Sequence, residues 1–138
     1  MSRATRKLKR ITALVVEDDE QAMKFITMVL MDMGMTQLFT AADGMEAWET
    51  LNDHRDEIDV VICDWNLPRL SGLEMLERMR EERIATPFLM LTGRGTMESA
   101  IEACSTGVDS YLPKPFAPEQ LLRKLLPLVG LDPSYVTV

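Results

Sequence analysis

The chain has 138 residues, of which 46% are hydrophobic and 27% charged, and its formal net charge is −7. This length fits one domain, and the hydrophobic content excludes a disordered chain. The first ten residues contain five basic side chains: Arg3, Arg6, Lys7, Lys9 and Arg10. Removing these five positive charges from −7 leaves about −12 on the remaining chain, which argues against nucleic acid as the main partner.

The hydropathy pattern argues against insertion into a membrane. No apolar run approaches the roughly 18 residues of a membrane span. The apolar segment after the basic leader, residues 11–16, is too short for the core of a signal peptide. We therefore expect a cytoplasmic protein in which residues 1–10 form a solvated basic tail, residues 11–130 form one domain and residues 131–138 form a C-terminal tail.

Strand and helix patterns alternate along the chain. Five β-rich runs are predicted to be strands: 11–16, 37–41, 59–63, 87–91 and 110–112. Apolar residues at helical spacing predict five helices: 21–33, 44–52, 72–83 with Ser71 as its N-cap, 97–104 and 118–129. Five successive β–α units favour a doubly wound α/β fold with a parallel sheet and helices on both faces. Such a sheet binds its ligands at the carboxyl ends of its strands, although spacing alone leaves the strand order open.

Polar side chains follow four of these strands at the point where each strand ends. Glu17 and Asp18 follow the first strand, Asp64 the third, Thr92 the fourth and Lys114 the fifth. Neighbouring parallel strands would bring three carboxylates, a hydroxyl and an ammonium into one cleft. Clustered carboxylates are costly unless a cation or proton offsets them, and Mg²⁺ is the natural candidate, with Mn²⁺ as an alternative. A carboxylate in such a cleft can accept a phosphoryl group.

Each of these residues also has a simpler explanation when it is considered alone. Glu17 or Asp18 could cap the following helix. Asp64 and Thr92 could bond to their own turns. Lys114 could be solvated, but it lies between two prolines that restrict its backbone, and its bond to the second proline is a candidate for the cis isomer. In the shared cleft, its ammonium would pair with Asp64 at rest and with phosphate oxygens after phosphoryl transfer.

Four segments together resemble the response-regulator receiver domain, the phosphoacceptor module of two-component systems. They are VVEDD at 15–19, DWNLPRLSG at 64–72, LTG at 91–93 and YLPKPF at 111–116. The likeness spans about residues 10–129, and the DWN run is similar to single-domain chemotaxis regulators. The resemblance implies a flavodoxin-like fold with a five-stranded parallel sheet in the order 2-1-3-4-5 and five helices.

The resemblance also implies roles for the acidic residues. Asp64 would be phosphorylated from a histidine kinase or a histidine phosphotransfer protein. Asp18, Asp64 and the main-chain carbonyl of Asn66 would bind Mg²⁺ directly, and Glu17 would bind it through water. The chain would be a phosphoacceptor and not an enzyme, although it would assist its own Mg²⁺-dependent phosphorylation and dephosphorylation.

The remaining site residues would transmit the change to a partner. Thr92 and Lys114 would contact the phosphoryl group, and Tyr111 would be an aromatic switch that turns inward when Thr92 moves. A downstream target protein would bind the surface formed by the helix predicted at 97–104, the fifth strand and the last helix.

Two other classes of function stay open at this stage. The chain could be a docking module that keeps this fold but is never phosphorylated; the intact set at positions 18, 64, 92 and 114 argues against it. It could instead be a small hydrolase or nucleotide-binding protein, but it lacks the G-x-G-x-x-G fingerprint and a second catalytic carboxylate two residues after Asp64.

Overall fold

The computed structural model, which describes residues 3–93, 102 and 104–133, is built around a five-stranded parallel sheet in the order β2-β1-β3-β4-β5. Its strands are β1 Thr12–Val16, β2 Gln37–Ala41, β3 Val60–Asp64, β4 Phe88–Thr92 and β5 Ser110–Pro113. Its helices are α1 Arg3–Leu8, α2 Glu20–Asp32, α3 Gly44–Asp53, α4 Gly72–Glu81 and α5 Pro118–Leu128. The sequence-based prediction of the flavodoxin-like sheet and its strand order is confirmed. Of the helix predicted at 97–104, only residues 102 and 104 are described, and both are helical.

Helices cover both faces of the sheet because the central strands are apolar on both sides. Every residue of β1, β3 and β4 is buried. Alternate residues point to opposite faces, so Ala13 and Val15 pack with α2 and α5, whereas Leu14 and Val16 pack with α3 and α4. Over the described residues, no helix has both the length and the apolar character needed to cross a membrane.

The N-terminal end of the chain differs from the prediction of a solvated tail. Residues Arg3–Leu8 form a helix, α1, that was not predicted, and the Leu8 side chain is fully buried in the core. The adjacent Lys9 carbonyl accepts a hydrogen bond of 2.9 Å from Gln37 at the start of β2. At the other end, Leu131 is also buried. The basic side chains of Arg6, Lys7, Lys9 and Arg10 are exposed as expected, but a fully solvated leader is wrong because Leu8 supplies an apolar anchor.

Three helices, α2, α4 and α5, end in the same way. In each, a residue with positive φ follows the helix, and the next amide reaches back to a carbonyl in the last turn, which is the Schellman arrangement. Glycine occupies this position after α2 and α5, at Gly34 (φ 111°) and Gly130 (φ 78°). After α4 the position is held by Arg83, with φ 59°, and the Ile84 amide donates to the Met79 carbonyl at 2.8 Å.

Candidate functional site

The carboxyl ends of four parallel strands bring the predicted site residues together. The register pairs Val16 with Cys63, Asp64 with Leu91, and Thr92 with Pro113, so the strands end nearly level. Glu17, Asp64 and Thr92 are 2%, 6% and 0% exposed. Carboxylates are rarely buried to this degree without a charged partner.

Lys114 is the partner of both buried carboxylates. Its Nζ lies 2.5 Å from Glu17 Oε1 and 3.4 Å from Asp64 Oδ2. Its main-chain amide donates to the Thr92 carbonyl at 2.7 Å, and its peptide bond to Pro115 is cis. The expected pairing with Asp64 is therefore confirmed, but the shorter contact with Glu17 was not predicted.

The environment of Lys114 keeps its ammonium charged. Burial lowers the pKa of Lys114, but the hydrogen bond to Glu17 and the charges of Asp64 and Glu17 outweigh that effect and hold the pKa above its ordinary value. One positive charge thus faces two buried carboxylates, which leaves the cleft short of positive charge.

Glu17, Asp18 and Asp64 form an acidic cluster that fits a divalent cation. One carboxylate oxygen from each residue lies within 4.8 Å of the other two. Oxygen ligands about 2.1 Å from one Mg²⁺ ion can lie up to about 4.2 Å apart, so only a small adjustment would be needed. Asp18 is exposed, so the cluster is open to solvent on that side.

The simpler explanation of Glu17 and Asp18 as helix caps is wrong because the next residue has that role. Asp19 is the N-cap of α2, and its Oδ2 accepts a hydrogen bond from the Ala22 amide at 2.8 Å. The Asp19 amide also donates to Glu17 Oε2 at 3.1 Å. The cap therefore leaves Asp18 available to the cluster and helps to orient Glu17.

The loop between β3 and α4 packs tightly against the backbone of Asp64. Ser71 caps α4 in a reciprocal pair with Glu74, as the sequence predicted for Ser71. Gly72 follows, and its amide donates to the Trp65 carbonyl at 2.9 Å. A Cβ at Gly72 would lie 2.2 Å from the Asp64 carbonyl oxygen. Sequence reasoning missed this role of Gly72, although a glycine at the first position of a helix is a possible sign of close backbone approach.

Asn66 and Tyr111 are the other two predicted site residues. Asn66 is exposed in the loop two residues after Asp64. Tyr111 lies on β5, paired in register with Met90, and its partly buried side chain packs against the apolar face covered by α3 and α4. Asn66 therefore follows the carboxyl end of β3, whereas Tyr111 is the second of the four residues of β5, and the roles expected of both stay predictions.

Comparison with known proteins identifies the family. A model of the response regulator receiver domain matches residues 13–126. The chain belongs to this family.

Relatives of this receiver include chemotaxis proteins of similar length. A CheY homologue of Campylobacter jejuni is 35% identical over 119 residues, which cover 85% of this chain and 91% of the relative. Chemotaxis protein CheY1 of Helicobacter pylori is 34% identical over 121 residues, covering 86% and 97%. Among solved structures, chemotaxis protein CheY4 of Vibrio cholerae superposes with a TM-score of 0.77 at 34% identity, covering 86% of this chain and 98% of that one. The acidic cluster of this receiver is consistent with the phosphoacceptor role of CheY-like domains.

Proposed function

We propose that this receiver is a stand-alone response regulator that accepts a phosphoryl group on Asp64 and switches a protein-binding surface. The donor is a histidine kinase or a histidine phosphotransfer protein. The observation that carries the proposal is the position of Asp64, which ends β3 with its carboxylate 3.4 Å from Lys114 and within the acidic cluster. The coverage of two chemotaxis relatives, 91% and 97% of their lengths, supports the receiver function.

The chemical step transfers the phosphoryl group from nitrogen to oxygen. A carboxylate oxygen of Asp64 attacks the phosphorus atom of the donor's phosphohistidine. The P–N bond breaks, its electron pair goes to the departing imidazole, and an acyl phosphate forms on Asp64. The Lys114 ammonium, already directed at Asp64, stabilises the negative charge on the transferred oxygens.

Asp18, Asp64 and the main-chain carbonyl of Asn66 would hold Mg²⁺ or Mn²⁺ directly, with Glu17 acting through water. The ion, when bound, offsets the charge of the phosphoryl oxygens. Glu17 holds the Lys114 ammonium in place beside Asp64 through the 2.5 Å contact. The same groups would assist dephosphorylation: a water oxygen attacks the phosphorus atom, the P–O bond to Asp64 breaks with its electron pair returning to the carboxylate, and inorganic phosphate leaves.

The switch uses Thr92, the last residue of β4, and Tyr111 on β5. Thr92 is buried at the end of β4, where its hydroxyl would donate to a phosphoryl oxygen, and Tyr111 turns inward as Thr92 moves. Moving a two-state equilibrium from 1:99 to 99:1 takes about 5.5 kcal/mol. A few charge-assisted hydrogen bonds at about 1.5–3 kcal/mol each supply that amount. The downstream target binds β5, α5 and the helix predicted at 97–104, which lies largely outside the described residues.

Intact-mass measurement tests the proposal directly. The chain is incubated with acetyl phosphate and Mg²⁺, and we expect the mass of one added phosphoryl group. The addition disappears in Asp64→Asn and persists in Asp56→Asn, a control aspartate that is exposed outside the site. A chain that stays unmodified would refute the proposal and favour the docking module, and sustained hydrolysis of unrelated phosphoesters would favour the hydrolase.

A further inference from the structure

The loop that follows the phosphoacceptor contains a strained turn. The Leu70 amide donates to the Pro68 carbonyl at 2.8 Å, and Arg69 between them has φ 66°. A hydrogen bond that spans three residues around a positive φ defines the rarer, strained form of the γ-turn. A residue with a side chain adopts this conformation only where its surroundings stabilise it.

The Arg69 side chain supplies that stabilisation by reaching across to α3. Its Nη2 lies 3.0 Å from Asp43 Oδ1 and 2.9 Å from Asp43 Oδ2. Asp43 is itself fixed, because it is the N-cap of α3 and its Oδ1 accepts the Glu46 amide at 2.8 Å. The hydrogen bond from Glu46, aided by the Arg69 guanidinium, holds the pKa of Asp43 below its ordinary value although burial raises it. The carboxylate therefore stays charged near neutral pH.

The backbone of the turn also lies directly on α3. The Gly44 amide donates to the Pro68 carbonyl at 3.4 Å. A Cβ at Gly44 would lie 1.9 Å from the Leu70 carbonyl oxygen, so the two backbones approach as closely as glycine permits. The ion pair and this contact together fasten the middle of the loop to a rigid helix end.

We propose that Arg69 is a positioning residue for the metal site. By pairing with Asp43 it holds the γ-turn, and thereby fixes the main-chain carbonyl of Asn66 three residues earlier. This inference rests on the proposed function, because that function assigns the Asn66 carbonyl as a ligand. Arg69 acts only through the loop backbone, and its guanidinium is engaged with Asp43 on the side of α3.

Arg69→Gly separates positioning from folding. Glycine adopts the positive φ without strain, so the turn is permitted while the ion pair is lost. We expect the dissociation constant for Mg²⁺ to rise about threefold to tenfold, at or below the lower end of the roughly 10–100-fold effects seen when groups behind metal ligands are removed. The readout is intrinsic tryptophan fluorescence during titration with Mg²⁺ alone, and of the two tryptophans Trp65 adjoins Asp64.

Arg83→Gly is the matched control. It makes the same substitution at another arginine with positive φ, 59°, located after α4 and away from the loop. Its Mg²⁺ affinity should equal that of the native chain. Asp43→Asn keeps an acceptor for the helix cap but removes the charge, and it should weaken Mg²⁺ binding as Arg69→Gly does. The double variant Asp43→Asn/Arg69→Gly should be no weaker than Arg69→Gly alone.

The outcomes distinguish this inference from the proposed function. If the native chain binds Mg²⁺ and Arg69→Gly binds it equally well, the positioning role is refuted while the proposed function stands. An equal loss of affinity in Arg83→Gly would also refute it, because the effect would then be general. If the native chain neither binds Mg²⁺ nor gains a phosphoryl group on Asp64, both proposals fail. Thermal melting of each variant verifies that the fold is retained.

Discussion

Substitution of Gly72 by alanine tests whether close backbone packing positions the phosphoacceptor. Gly72 is the first residue of α4, and a Cβ there would lie 2.2 Å from the Asp64 carbonyl oxygen. Cβ atoms in proteins essentially never approach other heavy atoms more closely than 3.0 Å, so the two groups must separate by at least about 0.8 Å. Because the nearest neighbours are backbone atoms of Asp64 and Trp65, rotation of a side chain cannot relieve the contact.

The expected effects follow from this displacement. Overpacking of this kind costs about 1–3 kcal/mol, and for a domain of this size about 1 kcal/mol lowers the melting temperature by about 4 °C. A misplacement near 1 Å at a reacting group reduces a rate by up to about 100-fold. Helix propensity alone predicts the opposite sign for stability, since alanine is better than glycine in a helix by about 1 kcal/mol. A lower melting temperature for Gly72→Ala would show that overpacking outweighs helix propensity, and a higher one would show the reverse.

The assays are thermal melting and the rate of phosphoryl addition from acetyl phosphate with Mg²⁺. Gly93→Ala is the control for stability, because a Cβ at Gly93 would have no heavy atom within 4 Å. We expect Gly72→Ala to melt at a lower temperature and to be phosphorylated more slowly than the native chain. An unchanged or raised melting temperature together with a native rate would refute the packing argument.

Three further substitutions have defined expectations. Lys114→Met should lower stability by about 1–3 kcal/mol, because it leaves Glu17 and Asp64 buried without their cation. The pKa of Lys114 in the folded chain is raised above its ordinary value of 10.5, so the stability that the ammonium contributes is complete below pH 10.5 and is lost as the pH rises through the folded-state pKa. Urea unfolding of the native chain and of Lys114→Met at about pH 8 and about pH 11 should therefore show a smaller stability difference at the higher pH. An equal difference at both pH values would contradict the ion-pair explanation. Arg83→Gly should raise stability by about 0.5–1 kcal/mol in thermal melting, because glycine suits the positive φ after α4, and a loss would contradict the assigned helix end. Asp19→Ala should lower the free energy of unfolding in urea by about 1 kcal/mol, because the N-cap of α2 is lost. An unchanged free energy would indicate that a neighbouring residue caps the helix.

The sequence predicted the sheet and the members of the site because both depend on strong, local patterns. The fully apolar runs around Val61 and Leu89 define buried strands, and Asp64 and Thr92 end such strands. The strand order came from the resemblance to a known family, because spacing does not determine which strands are neighbours.

Other features depend on three-dimensional contacts that local patterns do not record. The choice of Asp19 as the helix cap is visible only in the hydrogen bond to Ala22. The close contact between Lys114 and Glu17 depends on how deeply the Glu17 side chain is buried, and that side chain is 1% exposed. Gly72 and Arg69 act through the backbone, so their residue types gave only weak signals. The α1 helix was not predicted because Leu8 is its one large apolar residue, so the segment shows no apolar residues at helical spacing.

Leu8 and Leu131 each lie five positions outside the stretch that the family model matches, residues 13–126, yet both side chains complete the same apolar core beneath α2 and α5. A fragment trimmed to the matched boundaries would lack both leucines and would expose part of this apolar core to water. We expect such a fragment to self-associate. A loss of phosphorylation in it would then reflect the missing flanks and not the acidic cluster of Glu17, Asp18 and Asp64.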